Sequence, residues 1–449
     1  MKWWWYELQE KKTEVETPSN FTADSEPGCV VSGPTAAVLR ASRVLGAAPL
    51  RVARAHAAWR VSPSPTLAVL QRLLITACNI VMLVALGLDF TQDPNCRIRG
   101  GDSTLKAVIW IVDMFLVMLI ANLTVYMGPC RMVNLINVLN QLLQINFELK
   151  INPPSAKSDT MKSFAIICYL VWSTGIQLLD IYNLMVTAVK DNKMWPIMCM
   201  YFTYYYSNVV GVAMVLQWNC TARGTHAAAA AINQQLRQLR YVNLEPKPKA
   251  VEELFRVSHS VSSLVDALSV HRNTDTPMQA SQAQATIRRL ALAYDRISEV
   301  VTQMNAANGL ILLVMILSIF LRLVLTPYYL LLGLFDDDDV VVLVVAMQVN
   351  WSMFHMINLI LIVEPCHWTQ EERDHTGHLL SQLTVYLAPK CERISKELDQ
   401  FAKQVTLDNA QFRPLGIHTL ARPLVATILG GVTTYLVIIM QFQKISDLL

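Results

Sequence analysis

Charged residues are scarce in this chain. They make up 16% of its 449 residues, against about 25% in an average soluble protein. Residues with apolar side chains account for 53%. This balance argues against a soluble globular protein and is typical of a chain whose surface meets lipid. The formal net charge of +3 is too small to indicate nucleic acid as a partner.

Signatures of several other protein classes are also missing. The sequence has no glycine-rich phosphate loop and no Ser-His-Asp order, and the cysteine and histidines of 366–378 fit no usual zinc spacing. We therefore expect no enzymatic activity, no metal and no cofactor. The first residues lack a sustained apolar core, so no signal peptide is predicted. Of nine scattered cysteines, only Cys96 falls in a predicted outer loop, so we expect no extracellular intrachain disulfide.

Long apolar runs are what the chain has instead. A helix needs roughly 20 apolar residues to cross a bilayer, and only helices or closed barrels satisfy their backbone polar groups in lipid. Seven segments qualify. They lie at about 67–88, 105–127, 163–187, 195–217, 307–333, 340–363 and 421–443. The sequence therefore predicts an all-α membrane protein with seven transmembrane helices.

The distribution of charge predicts the orientation. Five arginines and no acid lie shortly before the first span, namely Arg40, Arg43, Arg51, Arg54 and Arg60. The positive-inside rule places this end in the cytoplasm, so that seven crossings put the C-terminus outside. The turn before the sixth span holds Asp336 to Asp339 without a base; it either concentrates cations outside or is simply solvated. Residues 35–59 are either an interfacial amphipathic helix or a basic topology signal alone.

The spans divide the chain into six regions. Residues 1–66 form a cytoplasmic N-terminal region, in which 13–35 has the composition of a disordered segment. Residues 218–306 form a cytoplasmic helical segment. In it, helices at 227–240 and 287–304 continue spans four and five. The remaining regions are spans one to four at 67–217, spans five and six at 307–363, cytoplasmic anchor helices at 364–420, and the seventh span with a short extracellular tail at 421–449. Unpaired faces on the cytoplasmic helices predict an oligomer.

Polar side chains inside the predicted spans are candidates for function because they are costly in lipid. On the sixth span, Gln348, Trp351, Ser352, His355 and Asn358 recur at spacings of three and four, which places them on one helix face. The candidate ligand-binding residues are Trp195, Asp180, Thr326, Tyr329, Gln348, Trp351 and His355. Amides beside aromatic faces suit a small polyol or sugar.

Structural roles explain the same residues equally well. Trp195 and Tyr329 also suit an interfacial aromatic belt, and the stripe on the sixth span suits hydrogen bonding between helices. Asp180 is a possible counter-charge for Arg322, and His355 is a possible packing residue. The sequence leaves these alternatives open.

The seventh span carries the most specific pattern. Thr434-Tyr435, five apolar residues and then Gln441-Phe442 resemble the C-terminal signature of the insect gustatory receptors. The segment 288–301 and the motif 364–377, which begins Glu-Pro-Cys-His, resemble the same family more loosely. His418 and Ala421 stand where relatives often carry an aromatic residue and an acid.

This resemblance implies a ligand-gated cation channel in the plasma membrane, built as a homotetramer or as a heterotetramer with related receptor subunits. The seventh spans would line its pore. Thr434, Ile438 and Gln441 share one helix face, and with Phe442 they are the candidate pore and gate residues; the alternative is packing against spans five and six.

The implied ligand is a small-molecule tastant. Gln348, Trp351 and residues 362–366 most resemble the fructose-receptor branch, with a bitter receptor or an odorant-type subunit needing a coreceptor as alternatives. The predicted orientation argues against a metabotropic receptor, and the lack of internal repeats argues against a secondary transporter.

Overall fold

The computed structural model of the protein describes residues 28–55, 58–91, 104–150, 156–190, 194–244, 277–334, 341–387 and 392–446. In these residues, the strands are β1 (Cys29–Val31), β2 (Leu50–Ala55) and β3 (Ala58–Pro63). The helices are α1 (Gly33–Val44), α2 (Pro65–Phe90), α3 (Thr104–Tyr126), α4 (Gly128–Glu148), α5 (Ala156–Lys190), α6 (Met194–Leu244), α7 (Pro277–Leu334), α8 (Val341–Leu387), α9 (Glu392–Leu407) and α10 (Arg422–Ser446). A single 3-10 turn, Pro414–Gly416, precedes α10.

All seven predicted spans coincide with helices, namely α2, α3, α5, α6, α7, α8 and α10. Within the described residues, stretches of α2, α5, α7 and α8 are long and apolar enough to cross a membrane, judged by length and composition alone. The pair α3 and α4, bent by 64°, counts as a fifth if it is one span, and α10 holds a shorter apolar stretch. The helical membrane fold that the sequence predicts is therefore confirmed.

Three helices continue well beyond any membrane. α6, α7 and α8 have 51, 58 and 47 residues. At about 1.5 Å per residue each is roughly 70 Å long or more, over twice the ~30 Å hydrocarbon core. Their extensions, predicted at 227–240 and 287–304, pack with α9 around a buried apolar core that includes Ile232, Ile297 and Phe401.

The N-terminal region differs from the alternative of one amphipathic helix over 35–59. α1 ends at Val44, and β2 and β3 follow it and form an antiparallel sheet of order β1-β3-β2 with the preceding β1, Val52 lying opposite Val61. The physical reason is the alternation along β2 and β3: Leu50 and Val61 are buried while Arg51 and Arg60 are exposed, which is the period of a strand. The sheet packs on α4 in one apolar cluster with Met132 and Ile136.

Gly46, between α1 and β2, is required by its surroundings. Its φ of +79° disfavours side chains, and a Cβ there would lie 2.5 Å from the Tyr206 hydroxyl.

Gly46→Ala should therefore destabilise the protein by about 2–4 kcal/mol through backbone strain and crowding. The measurement is the midpoint of thermal unfolding in detergent. Gly87→Ala is the control, because nothing lies within 4 Å of a Cβ at that helical position; an equal effect of both substitutions would contradict the prediction.

Candidate functional site

A buried arginine joins three helices at the centre of the bundle. Arg322 on α7 is 7% exposed, and its Nε donates to Asp113 Oδ1 on α3 at 2.7 Å. Its Nη1 donates to Asn208 Oδ1 on α6 at 3.1 Å, and its Nη2 donates to the Tyr204 hydroxyl at 3.2 Å. The Tyr204 hydroxyl donates in turn to Asp113 Oδ2 at 2.8 Å. A charge held among apolar helices in this way is a candidate functional group.

The counter-charge of Arg322 corrects a hypothesis drawn from the sequence. Asp180 was the possible partner, but the salt bridge of Arg322 is made with Asp113. Asp180 instead accepts a hydrogen bond from the Tyr205 hydroxyl. The signal for Asp113 was available, since it is an acid within the second predicted span.

Arg322 also lines a cavity between α3, α6, α7 and α8. The cavity offers about 40 Å³ to the centres of water molecules. Its polar lining residues are Ser207, Asn208, Ser318, Arg322, His355 and Asn358. Within the described part of the chain, Asn208 Nδ2 and Ser207 Oγ are buried without a hydrogen-bond partner. Buried polar groups are usually paired, so these two are available to a polar ligand.

Aromatic rings lie beside this cavity. Trp351 is 9% exposed and stacks on Tyr205 at a centroid distance of 6.4 Å and on His355 at 5.7 Å. Phe354 meets the Trp351 ring edge-on at 5.4 Å. The structure thus brings the predicted residues Trp351 and His355 together, and Asp180 joins them through its hydrogen bond with Tyr205. Of these three predicted residues, His355 lines the cavity itself.

The other predicted ligand residues occupy varied positions. Thr326 is buried one turn beyond Arg322, and its hydroxyl donates to the Arg322 carbonyl at 2.7 Å. Gln348 is half-buried on α8, one turn before Trp351. Trp195 and Tyr329 lie on α6 and α7, and their side chains are outside the described residues. Asn358 accepts a hydrogen bond from the Tyr169 hydroxyl at 2.9 Å, so the structural alternative of a bond between helices applies to it.

α10 has one buried and one exposed face. Ile428 and Val432 are buried in the core shared with α7, and the Tyr435 ring meets Phe320 of α7 at 6.0 Å. A Cβ on Gly431 would lie 3.2 Å from the Phe320 ring, so glycine permits this close approach.

The candidate pore residues lie on the other side of α10. Thr434, Ile438 and Gln441 are exposed in this single chain, and the Thr434 hydroxyl bonds only within its own helix, to the Gly430 carbonyl at 2.9 Å. The side chain of Phe442 is outside the described residues. Where α10 begins, Arg422 forms a salt bridge of 2.5 Å with Glu364 of α8.

Long apolar helices around a buried polar cavity are those of a helical membrane protein. The chain belongs to the 7tm chemosensory receptor family, whose family model matches residues 36–446. It is 27% identical over 210 residues to the gustatory receptor for sugar taste 43a of Drosophila melanogaster, covering 44% of this chain and 47% of that protein. It is 25% identical over 263 residues to the putative gustatory receptor 28b of the same organism, covering 58% and 54%. The chain thus spans about half the length of these curated relatives.

Solved structures confirm the fold. The insect olfactory receptor OR5 from Machilis hrabei matches with a TM-score of 0.61 over 90% of this chain and 97% of that one, at 11% identity. Its complex with eugenol matches with a TM-score of 0.57 at 10% identity. The family and the fold are those of chemosensory receptors and not of enzymes, as the sequence predicts.

Proposed function

We propose that this chain is a taste receptor of the plasma membrane that opens as a non-selective cation channel when it binds a sugar such as fructose. The observation that carries the proposal is the cavity lined by Arg322, where the unpaired Asn208 Nδ2 and Ser207 Oγ share the walls with His355, on which Trp351 stacks. The likeness to a receptor for sugar taste supports the same ligand class.

The chemistry of the cavity suits a polyol. Sugar hydroxyls both donate and accept hydrogen bonds, and Asn208 Nδ2 and Ser207 Oγ supply one donor and one group of either kind. The rings of Phe354 and His355, which line the cavity, can contact the C–H surface of a sugar ring. Sites that place a few polar groups in largely apolar walls are the usual form of small-molecule pockets.

The size of the cavity requires movement on binding. Small-molecule pockets usually measure about 300–1,000 Å³, far more than the 40 Å³ found here. A sugar must therefore widen the cavity by moving its walls. A ligand that binds the widened arrangement more tightly shifts the population toward it, which is the energetic basis of gating.

α7 lines the cavity and also packs on α10, which this proposal makes the pore helix. Ser318, Ile319 and Arg322 line the cavity, while Phe320 between them packs on Tyr435 of α10. Displacement of α7 by a ligand therefore acts directly on α10. No further helix is needed between the cavity and α10.

The pore in this proposal forms in a tetramer of identical or related subunits, with the N-terminus of each in the cytoplasm. The exposed face of α10 with Thr434, Ile438 and Gln441 would then face the central axis. Four Ile438 side chains suit an apolar gate and four Gln441 amides suit a polar ring, with Phe442 bracing the closed arrangement.

The proposal is tested by whole-cell recording from cells that express this chain alone, without added G proteins. The panel holds fructose, other sugars, polyols, bitter compounds and volatile odorants. A rapid cation current evoked by sugar is expected. A response confined to bitter compounds or odorants would replace the ligand assignment and keep the channel, whereas a sugar response that needs a G protein would contradict the channel itself.

Substitution of Asn208 tests the cavity. Asn208→Leu removes the unpaired Nδ2 together with the Oδ1 that accepts from Arg322 Nη1, and a lost hydrogen bond in a buried site is worth about 1–3 kcal/mol. The half-maximal sugar concentration should therefore rise roughly 5- to 150-fold. Asn350→Leu is the control, because that amide bonds only to the Ala346 carbonyl of its own helix. An unchanged dose response in Asn208→Leu, at equal surface expression, would place the ligand elsewhere.

A further inference from the structure

A second cavity lies between α4, α6 and α7, away from the ligand cavity. Its polar lining residues are Arg131, Asn134, Gln217, Thr221, Gln303 and Asn308. No aspartate or glutamate is among the residues that line it. It offers about 20 Å³ to the centres of water molecules, which is room for one or two waters or one monatomic ion.

Arg131 is a buried charge without a carboxylate partner. It is 2% exposed. Its Nη2 donates to the Ala47 carbonyl at 2.9 Å, and its Nη1 donates to the Met214 sulfur. Its Nε has no hydrogen-bond partner among the described residues. The other buried arginines, Arg322 and Arg373, each form a salt bridge in this structure, at 2.7 and 2.5 Å. Arg131 is therefore the exception among them.

An unpaired guanidinium in the interior is costly. Removing the partner of a buried charge strongly destabilises a protein, because the charge that remains is uncompensated. A carbonyl and a thioether offset only part of this, since neither carries a negative charge. A water molecule would satisfy the free N–H but would not neutralise the charge.

A second unpaired donor lies at the same cavity. Gln217 on α6 is 4% exposed, and its Nε2 has no partner in the described part of the chain. The cavity thus has one cation and one free amide donor around a space of ionic size, and no carboxylate lines it. Such a set of donors suits an anion. Two donors suit a monatomic anion better than a phosphate or sulfate, whose four oxygens need more hydrogen-bond partners in a buried site.

We propose that this cavity binds a small monovalent anion, chloride under physiological conditions, through Arg131 and Gln217. The anion neutralises Arg131 and links α4, α6 and α7. Because Arg131 also holds the Ala47 carbonyl, the bound anion fixes the loop between α1 and β2 to the bundle. Chloride therefore stabilises the receptor independently of any tastant.

The test uses the purified full-length receptor in neutral detergent, with chloride exchanged for gluconate at constant ionic strength. The midpoint of thermal unfolding should rise saturably with chloride, by roughly 2 °C or more. Bromide should replace chloride, while the larger sulfate should not. Arg131→Gln should abolish the rise, and Arg393→Gln, which removes an exposed arginine, should retain it.

Gln217→Leu keeps the proposal testable if Arg131→Gln does not fold. This variant retains the guanidinium and removes one donor, so half-saturation should need at least ~5-fold more chloride. Equal midpoints in chloride and gluconate would mean that the cavity holds water only, and would overturn the proposal. A rise that persists in Arg131→Gln, or that sulfate produces equally, would overturn it as well, because it would reflect general screening.

Discussion

Arg322→Met should remove nearly all folded receptor from the cell surface. The substitution leaves the carboxylate of Asp113, whose side chain is 15% exposed, with the Tyr204 hydroxyl as its remaining hydrogen-bond donor. Breaking a buried ion pair in this way costs about 3–5 kcal/mol, a large part of the ~5–15 kcal/mol by which proteins are usually stable. Surface biotinylation and the thermal unfolding midpoint measure the loss.

The double variant Asp113→Asn with Arg322→Met separates charge from packing. Removing both charges should recover much of the lost stability, because the cost comes from one charge left alone and not from the absence of the pair. Arg288→Met, at an exposed arginine of the same helix, should be nearly neutral. If Arg322→Met were as stable as the unmodified protein, the hydrogen bonds and salt bridge of Arg322 would contribute nothing to stability.

Phe320→Ala should uncouple the ligand cavity from the pore helix. Phe320 packs on Tyr435 and next to Gly431, so truncation removes the contact through which α7 acts on α10. Coupling free energies between sites are typically about 1–3 kcal/mol, or 5- to 150-fold in affinity. We expect the half-maximal sugar concentration to rise by roughly 30-fold or more, with a smaller maximal current. Whole-cell recording across a sugar dose series measures both quantities.

Leu317→Ala is the matched control for this substitution. It shortens an apolar side chain of α7 that is 54% exposed, only three positions from Phe320. Its dose response should stay close to that of the unmodified receptor at equal surface expression. The coupling role of α7 would be rejected if Phe320→Ala and Leu317→Ala behaved alike.

The helices were predictable because the bilayer imposes a local rule. A span needs a continuous apolar run, so segments such as 67–88 and 307–333 can be recognised without knowing their neighbours, and both lie within helices. Of the two alternatives for 35–59, the single amphipathic helix was wrong for the opposite reason. Strands β2 and β3 exist because residues such as Val52 and Val61 pair with each other, and short apolar runs do not distinguish a strand from a helix.

The candidate site was only partly predictable. Trp351 and His355 could be selected because their spacing on one helix is visible in the sequence, and they do lie together. Asp113 was missed, although it is an intramembrane acid, because its partner Arg322 lies 209 positions away. Tyr205 was missed because a tyrosine among several others near a helix start gives no sign of which ring will stack.

The sequence by itself determined the places of the seven long apolar helices, though not α4, and the family likeness of the last one, since both depend on residues close together in the chain. The tertiary structure decided which polar groups meet: Arg322 with Asp113, Asp180 with Tyr205, and Arg131 with no carboxylate. The physical reason is that a charge inside a bundle is paired or unpaired according to the rotation and separation of neighbouring helices. Those are fixed by the packing of the whole core and not by any single segment.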